Sequence, residues 1–104
     1  MALTITDANY QDLAAQGKLM VLDFWATWCG PCKRLAPAIE ALATQFEGQA
    51  IIGKVDIEES EDLATHFGIR NIPTVLFIKD GEVVDKLVGL NAKGAYEEKI
   101  NVLL

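Results

Sequence analysis

The sequence predicts an α/β fold with a mixed central sheet, in which parallel strands come first and an antiparallel hairpin comes last. Two observations lead to this prediction. Apolar runs rich in strand formers alternate with segments of helical periodicity, and Asp80-Gly81, a frequent hairpin turn, separates the last two runs. Parallel strands need crossover helices, which cover both faces of a sheet. With 104 residues, 51% of them hydrophobic, we expect one domain over residues 1–104.

The first long strand follows a short helix. Three apolar positions at helical spacing predict this helix: Tyr10, Leu13 and Ala14. Thr6 or Asp7 can cap its start, and Gly17 can end it. Met20–Ala26 is then an almost continuous apolar run, the pattern of a central strand that is buried on both faces. Asp23 interrupts this run with a charge.

A longer helix is expected from Cys32, because four apolar residues repeat along one face: Leu35, Ile39, Leu42 and Phe46. It should end near Gly48. A kink is expected at Pro37, which removes one backbone donor and frees the Lys33 carbonyl. Ala50–Val55 has the pattern of a second buried strand.

The second half of the chain contains the predicted hairpin between two helices. Ser60 is expected to cap a short helix that runs through His66. Thr74–Ile78 and Glu82–Val88 form the two strands of the hairpin. Asn91 is expected to cap the last helix, whose inward positions would be Tyr96, Ile100, Leu103 and Leu104. The predicted order is β-α-β-α-β-α-β-β-α, in which the first strand is not assigned to particular residues.

Charge and hydropathy argue against several functions. The formal net charge of −6 disfavours binding to nucleic acid or to an anionic membrane surface. Residues 1–7 have neither the basic segment nor the apolar core of a signal peptide. No apolar run approaches the roughly 20 residues of a membrane span. We therefore expect a cytoplasmic protein, in which a disulfide is more often catalytic than structural.

Both cysteines of the chain, Cys29 and Cys32, follow the first long strand. A zinc site would need two further ligands, and His66 is the only histidine. A structural bond across so short a loop contributes about 2 kcal/mol in the chain-entropy model, against about 4.7 kcal/mol for a hundred-residue loop. A redox-active pair is the favoured interpretation.

The junction of strand and helix predicts different roles for the two thiols. Cys29 is expected at the helix N-terminus, where free N–H groups and the helix dipole stabilise a thiolate, the attacking species in disulfide exchange. Cys32 should be less exposed and should resolve the mixed disulfide. Pro31 suits the first helical turn. Because Gly30-Pro31 adds no cation that would stabilise the reduced form, the pair should tend to donate electrons.

These residues resemble the thioredoxin family. The similar segments are Trp25-Ala26-Thr27-Trp28-Cys29-Gly30-Pro31-Cys32, Lys54-Val55-Asp56, Gly68-Ile69-Arg70-Asn71-Ile72-Pro73-Thr74, Asp80-Gly81 and Val88-Gly89. The resemblance implies the thioredoxin fold and a cytosolic protein-disulfide reductase without a bound cofactor, acting on disulfide-containing proteins. We expect a monomer, because nothing in the sequence suggests a larger assembly. It also implies that thioredoxin reductase, a flavoprotein, reduces the Cys29–Cys32 disulfide again with electrons from NADPH.

Asp23 is an unusual residue for a buried strand. Desolvation should raise its pKa towards neutrality, as a general base requires. A salt-bridged or water-linked core acid is the alternative interpretation. The family resemblance matches Asp23 to the buried acid that helps to deprotonate the resolving Cys32 through a water, with Lys54 as its partner on the neighbouring strand.

The resemblance also implies a docking surface around the thiols. Ile72-Pro73-Thr74 matches the family's cis-proline loop, whose backbone would pair with an extended substrate. The surface would comprise Trp28, Gly30, Pro31, Ile72, Pro73, Gly89 and Leu90. Thr27, Asn71 and Leu90 depart from the residues that are frequent at these positions in the family, so the preferred partners stay open.

Two other functions are compatible with the same residues. The apolar surface could serve a redox-silent binding module or subunit. A disulfide oxidase or isomerase is the other alternative, and it is disfavoured by Gly30-Pro31 and by the lack of an export signal.

Overall fold

The computed structural model describes residues 1–104 and contains five strands and four helices in the predicted order. They are β1 (Leu3–Thr4), α1 (Tyr10–Ala14), β2 (Leu19–Trp25), α2 (Gly30–Gln45), β3 (Ala50–Asp56), α3 (Glu61–His66), β4 (Thr74–Lys79), β5 (Glu82–Val88) and α4 (Lys93–Leu103). The strands form one sheet in the order β1-β3-β2-β4-β5. The predicted mixed α/β fold is confirmed.

Strand β2 lies at the centre of the sheet, parallel to β3 and antiparallel to β4. Strand β5 pairs antiparallel to β4 and forms one edge. The hairpin turns at Asp80 (φ 52°) and Gly81 (φ 79°), and two positive φ values give a turn whose twist matches that of the strands. The register of β2 and β3 sets Asp23 beside Lys54.

Each face of the sheet has its own core and its own pair of helices. Alternate residues of a strand point to opposite faces. On one face, Val21 and Phe77 pack with residues of α2 and α4. On the other face, Leu22 and Leu76 pack with residues of α1 and α3. Asp23 alternates with Leu22 and therefore projects to the face that α2 covers.

Helix α2 buries the predicted apolar stripe of Leu35, Ile39 and Leu42, with Phe46 buried at its C-cap. It begins at Gly30 and runs through Pro37 to Gln45. The kink at Pro37 stays a prediction. None of the four helices, α2 included, is long and apolar enough to cross a membrane.

The predicted caps of the two short helices are right in position for Ser60 and right only in part for α1. Asn9, and not Thr6 or Asp7, occupies the N-cap position of α1, although the Thr6 hydroxyl accepts a hydrogen bond from an N–H at the start of this helix. The Thr6 N–H donates to Asn9 Oδ1 at 2.8 Å, and the Asn9 N–H donates to Thr6 Oγ1 at 3.3 Å. Asp7 instead caps α3 by accepting two N–H groups of its first turn at 2.9 and 3.3 Å. Ser60 takes the N-cap position of α3 without a side-chain bond.

Two expectations for the last helix are also wrong, although Tyr96 and Ile100 are fully buried as predicted. Ala92 is the N-cap of α4, because Asn91 lies one residue too early and its amide turns back to the carbonyls at the end of β5. Leu104 follows the last helical residue and is 48% exposed.

Candidate active site

The two cysteines lie at the junction between the end of β2 and the start of α2. The connecting turn is closed by the Cys29 N–H, which donates to the Ala26 carbonyl at 3.1 Å. Cys29 is the N-cap of α2, with extended φ and ψ of −89° and 108°, and Pro31 lies in the first helical turn. Because proline has no N–H, it leaves no donor unpaired there. Cys29 therefore lies at a helix N-terminus, as the sequence predicted.

A disulfide joins Cys29 and Cys32, whose Cα atoms are 5.3 Å apart. The Cys32 N–H donates to Cys29 Sγ at 3.2 Å, so an otherwise free donor of the helix points at this sulfur. After reduction, the same donor and the helix dipole would stabilise a thiolate. Cys29 is 5% exposed and Cys32 is 3% exposed. Position on the helix, more than exposure, therefore distinguishes the two sulfurs.

The segment Ile72-Pro73, joined by a cis peptide bond, lies against the disulfide. The Ile72 carbonyl oxygen is 3.9 Å from Cys29 Sγ, and the side chains of Ile72 and Trp25 pack against the cysteines. The Gly89 N–H donates to the Pro73 carbonyl at 2.8 Å. The loop after β5 is thereby held beside the segment that contacts the disulfide.

The surface around the disulfide is open and largely apolar. Trp28 is 64% exposed and Leu90 is 48% exposed. Gly30 and Pro31 are exposed between the two cysteines. Pro73 is buried, so it can contribute to this surface only through the backbone that it shapes.

Asp23 is the one charged residue in the buried core. It is 1% exposed, and neither carboxylate oxygen has a hydrogen-bond partner. Burial raises the pKa of Asp23 to about 7, and the charge of Lys54 opposes this rise. The salt bridges of the chain involve other residues, so the salt-bridged alternative is wrong. Asp23 can exchange a proton near neutral pH.

Lys54 acts on Asp23 as a nearby charge and not as an ion-pair partner. The two residues are neighbours in the register of β2 and β3. The Lys54 Nζ atom, however, lies 4.7 Å from the centroid of the Trp25 ring, a cation–π contact. The sequence correctly predicted that Lys54 is a neighbour of Asp23, but it did not predict the contact of Lys54 with Trp25.

Comparisons with known proteins identify the family. A family model described as Thioredoxin matches residues 1–102. A thioredoxin of Chlorobaculum thiosulfatiphilum is 47% identical over 97 residues, which cover 92% of this chain and 90% of the relative. Thioredoxin 2 of Chlorobaculum tepidum is 46% identical over 97 residues, with 92% and 89% covered. A thioredoxin of Staphylococcus saprophyticus is 47% identical over 96 residues, with 92% and 91% covered. The chain belongs to the thioredoxin family.

Membership of the thioredoxin family, together with the bonded cysteine pair, defines the chemistry. The protein is a thiol–disulfide oxidoreductase. Thioredoxins need no bound cofactor, because the two thiols themselves carry the electrons. The family also implies, in general terms, disulfide-containing substrates and a reductase partner.

Three contacts near the site were not predicted from the sequence. The Trp28 Nε1–H donates to Glu58 Oε2 at 3.2 Å. The Tyr96 hydroxyl donates to the Gly89 carbonyl at 3.4 Å, and the Asn91 amide donates to the same oxygen at 3.3 Å. A buried tyrosine usually needs a partner for its hydroxyl, so Tyr96 could have been found by that signal. No local pattern indicates Glu58.

Proposed function

We propose that the protein is a protein-disulfide reductase in which Cys29 attacks the substrate and Cys32 resolves the mixed disulfide. The assignment rests on one observation, the Cys32 N–H directed at Cys29 Sγ at the start of α2. That arrangement favours negative charge on Cys29 and makes it the nucleophile. The Cys-x-x-Cys thiols of thioredoxins are themselves a well-known example of thiols acidified in this way.

The two exchange steps balance as follows. The Cys29 thiolate bonds to one sulfur of the substrate disulfide, and the other substrate sulfur leaves as a thiolate. Cys32 then attacks Cys29 Sγ and releases the first substrate sulfur. The substrate gains two electrons from the two cysteines and two protons, one that Cys32 gives up and one from solvent, because Cys29 reacts as a thiolate. The protein keeps the Cys29–Cys32 disulfide. The Cα separation of 5.3 Å in the disulfide form lies within the range that a disulfide requires.

In the proposed mechanism, Asp23 accepts the proton of Cys32 in the second step, through a water molecule. A base for a thiol must change its protonation state near the working pH, and the pKa of Asp23 is about 7. Asp23 projects to the sheet face that α2 covers, and α2 contains Cys32. Lys54 assists by keeping part of Asp23 ionised, since its charge lowers the pKa of that carboxyl.

The proposed substrate is a protein segment that docks on the open surface formed by Trp28, Gly30, Pro31, Ile72, Gly89 and Leu90, with Pro73 shaping the backbone beneath it. An extended chain can pair with the backbone of Ile72, whose N–H makes no hydrogen bond within the protein. The five surface cavities are lined by residues other than the two cysteines. An open apolar surface fits a protein segment better than a small molecule, which favours an enclosed pocket.

The proposed direction of electron flow is towards the substrate. Gly30-Pro31 places no cation beside the thiols, so nothing between them favours the reduced form of the pair. Thioredoxin reductase would then reduce the disulfide again with electrons from NADPH, in the cytoplasm and with the protein as a monomer. Membership of the thioredoxin family supports this proposal.

Reduction of insulin by dithiothreitol, followed as precipitation of the freed chains, tests the proposal. The wild-type protein should accelerate the reaction, whereas Cys29→Ser should not exceed the uncatalysed rate. Cys32→Ser, which keeps the nucleophile, should accumulate a covalent mixed disulfide at Cys29. Wild-type protein no faster than Cys29→Ser would refute the reductase function and favour a binding module.

A further inference from the structure

The loop from Gly89 to Ala92, between β5 and α4, is held by two side chains that the exchange steps do not use, one from the core and one from the loop itself. The Tyr96 hydroxyl donates to the Gly89 carbonyl at 3.4 Å. The Asn91 amide donates to the carbonyls of Val88 and Gly89, each at 3.3 Å. With the Gly89 N–H bound to the Pro73 carbonyl at 2.8 Å, both backbone groups of Gly89 have partners.

The backbone at Gly89 needs this restraint more than most positions. Its φ of +83° lies in the left-handed region, where glycine moves between conformations with little steric resistance. Leu90 follows directly and is 48% exposed. The direction in which Leu90 projects beside Ile72-Pro73 is therefore set by the hydrogen bonds at Gly89.

Tyr96 is placed to act on this loop from the core. Its side chain is fully buried in the cluster between the sheet and helices α2 and α4. Burial raises the pKa of Tyr96, contacts with Asn91 oppose the rise, and the charge of Asp23 adds to it. The hydroxyl therefore stays protonated at neutral pH and remains a donor. A phenylalanine would fill the same space without that donor.

We propose that Tyr96 and Asn91 are positioning residues for substrate docking, because they fix the Gly89 carbonyl and so hold Leu90 in place beside Ile72-Pro73. This inference rests on the proposed reductase function, in which the same loop belongs to the docking surface. Without the two donors the loop would have to be ordered when the substrate binds, which weakens docking. The sulfur chemistry at Cys29 would be unaffected.

The variants Tyr96→Phe, Asn91→Ala and their combination test the inference. The matched control is Tyr10→Phe, since Tyr10 is the other tyrosine, is also buried, and packs on the opposite face of the sheet. Each reduced protein is mixed with increasing concentrations of insulin in single-turnover reactions. These reactions give a half-saturating insulin concentration and a limiting rate. Hydrogen exchange of the Gly89 amide is measured on the same proteins.

Each single variant should raise the half-saturating concentration about two- to fourfold, and the double variant about tenfold, as expected for loss of neutral hydrogen bonds. The limiting rate should not change. The Gly89 amide should exchange faster in the variants, and Tyr10→Phe should match the wild type in every readout.

The outcomes separate the two proposals. A wild-type protein that fails to reduce insulin refutes the reductase function and this inference with it. If the wild-type protein reduces insulin but the half-saturating concentration is the same in the wild type and all variants, only the inference is overturned. A fall in the limiting rate at an unchanged half-saturating concentration also overturns it, because it would assign these residues to the chemistry.

Discussion

Two aspartates in strands of the same sheet have opposite surroundings. Asp85, in the edge strand β5, accepts a hydrogen bond from the Lys99 ammonium at 2.8 Å and another from the Lys86 N–H at 2.8 Å. Both hydrogen bonds lower the pKa of Asp85, and the one from Lys99 has the larger effect. Asp23, in the central strand β2, has no partner for either oxygen, and burial raises its pKa to about 7.

The two surroundings have opposite effects on stability: the carboxylate of Asp85 is compatible with the fold, whereas the ionised carboxylate of Asp23 destabilises it. A paired surface carboxylate is ordinary and contributes modestly to stability. A buried carboxylate without partners destabilises the folded state whenever it is ionised. Asp23 lies on the sheet face that α2 covers, and α2 begins at the reactive cysteines. We take its unfavourable position as a sign that it serves the reaction.

The largest expected effect is that of Asp23→Asn on the free energy of unfolding. The pKa of Asp23 rises from its ordinary value of 3.8 to about 7, so the folded state retains the proton to higher pH. Protonated Asp23 therefore contributes to the stability of the wild type. This contribution is fully present below about pH 4 and is lost as the pH rises through about 7, and the total loss is roughly 4 kcal/mol. Of this, about 2 kcal/mol falls between pH 5.5 and pH 8.5.

Urea unfolding of the oxidised proteins at about pH 5.5 and pH 8.5 measures this effect. The advantage of Asp23→Asn over wild type should grow by about 2 kcal/mol across that interval. Comparing two pH values cancels the constant cost of burying the amide. An advantage that does not change with pH would show that Asp23 is not a perturbed acid.

Lys54→Met should have a smaller effect on the same group. Because the Lys54 charge opposes the effect of burial, its removal should raise the pKa of Asp23 above about 7. The change should stay below the roughly one to three units that a directly paired cation gives, since no ion pair is present. Carbon-detected NMR titration of the Asp23 carboxyl measures it, with Lys86→Met as the control. An unchanged titration would show that Lys54 does not influence the pKa of Asp23.

Asp85→Asn should have the smallest effect, a loss of less than about 1 kcal/mol at pH 7. The Lys99 and Asp85 side chains are 30% and 41% exposed, so solvent screens the pair. Because the pKa of Asp85 is lowered, its contribution is present above the unfolded value near 4 and disappears in acid. Urea unfolding with and without added salt should show the loss fading with salt. A salt-independent loss above about 2 kcal/mol would contradict the account.

The long elements of the fold were predictable because their patterns repeat over several turns or residues. Some of the errors fall where contacts between distant parts of the chain, or the pairing of a very short strand, decide the structure. Asp7 caps α3 from 55 residues away, which no local pattern around Ser60 shows. Strand β1, Leu3–Thr4, has two residues and is defined only by pairing with Gly53 and Lys54 of β3. Sequence periodicity cannot locate an element of that length.

The candidate site residues stand out in the sequence because they break local patterns. Cys29 and Cys32 are the only thiols, and Asp23 places a charge in an apolar strand. Tyr96 breaks no pattern, because a tyrosine in the apolar stripe of a helix resembles ordinary core. The one signal is its buried hydroxyl, which needs a partner, and the structure shows that this partner is the Gly89 carbonyl.

The central claim, that Asp23 takes the proton of Cys32, is tested most directly by the lifetime of the mixed disulfide. Reduced wild type, Asp23→Asn and Asp85→Asn are mixed with a protein disulfide, quenched in acid at intervals and analysed by mass spectrometry. The mixed disulfide at Cys29 should persist at least about tenfold longer in Asp23→Asn at pH 7, since a positioned base contributes roughly 10²–10⁴-fold and bulk hydroxide recovers part of it. In Asp85→Asn its lifetime should equal that of wild type. Equal lifetimes in Asp23→Asn and wild type would contradict the account.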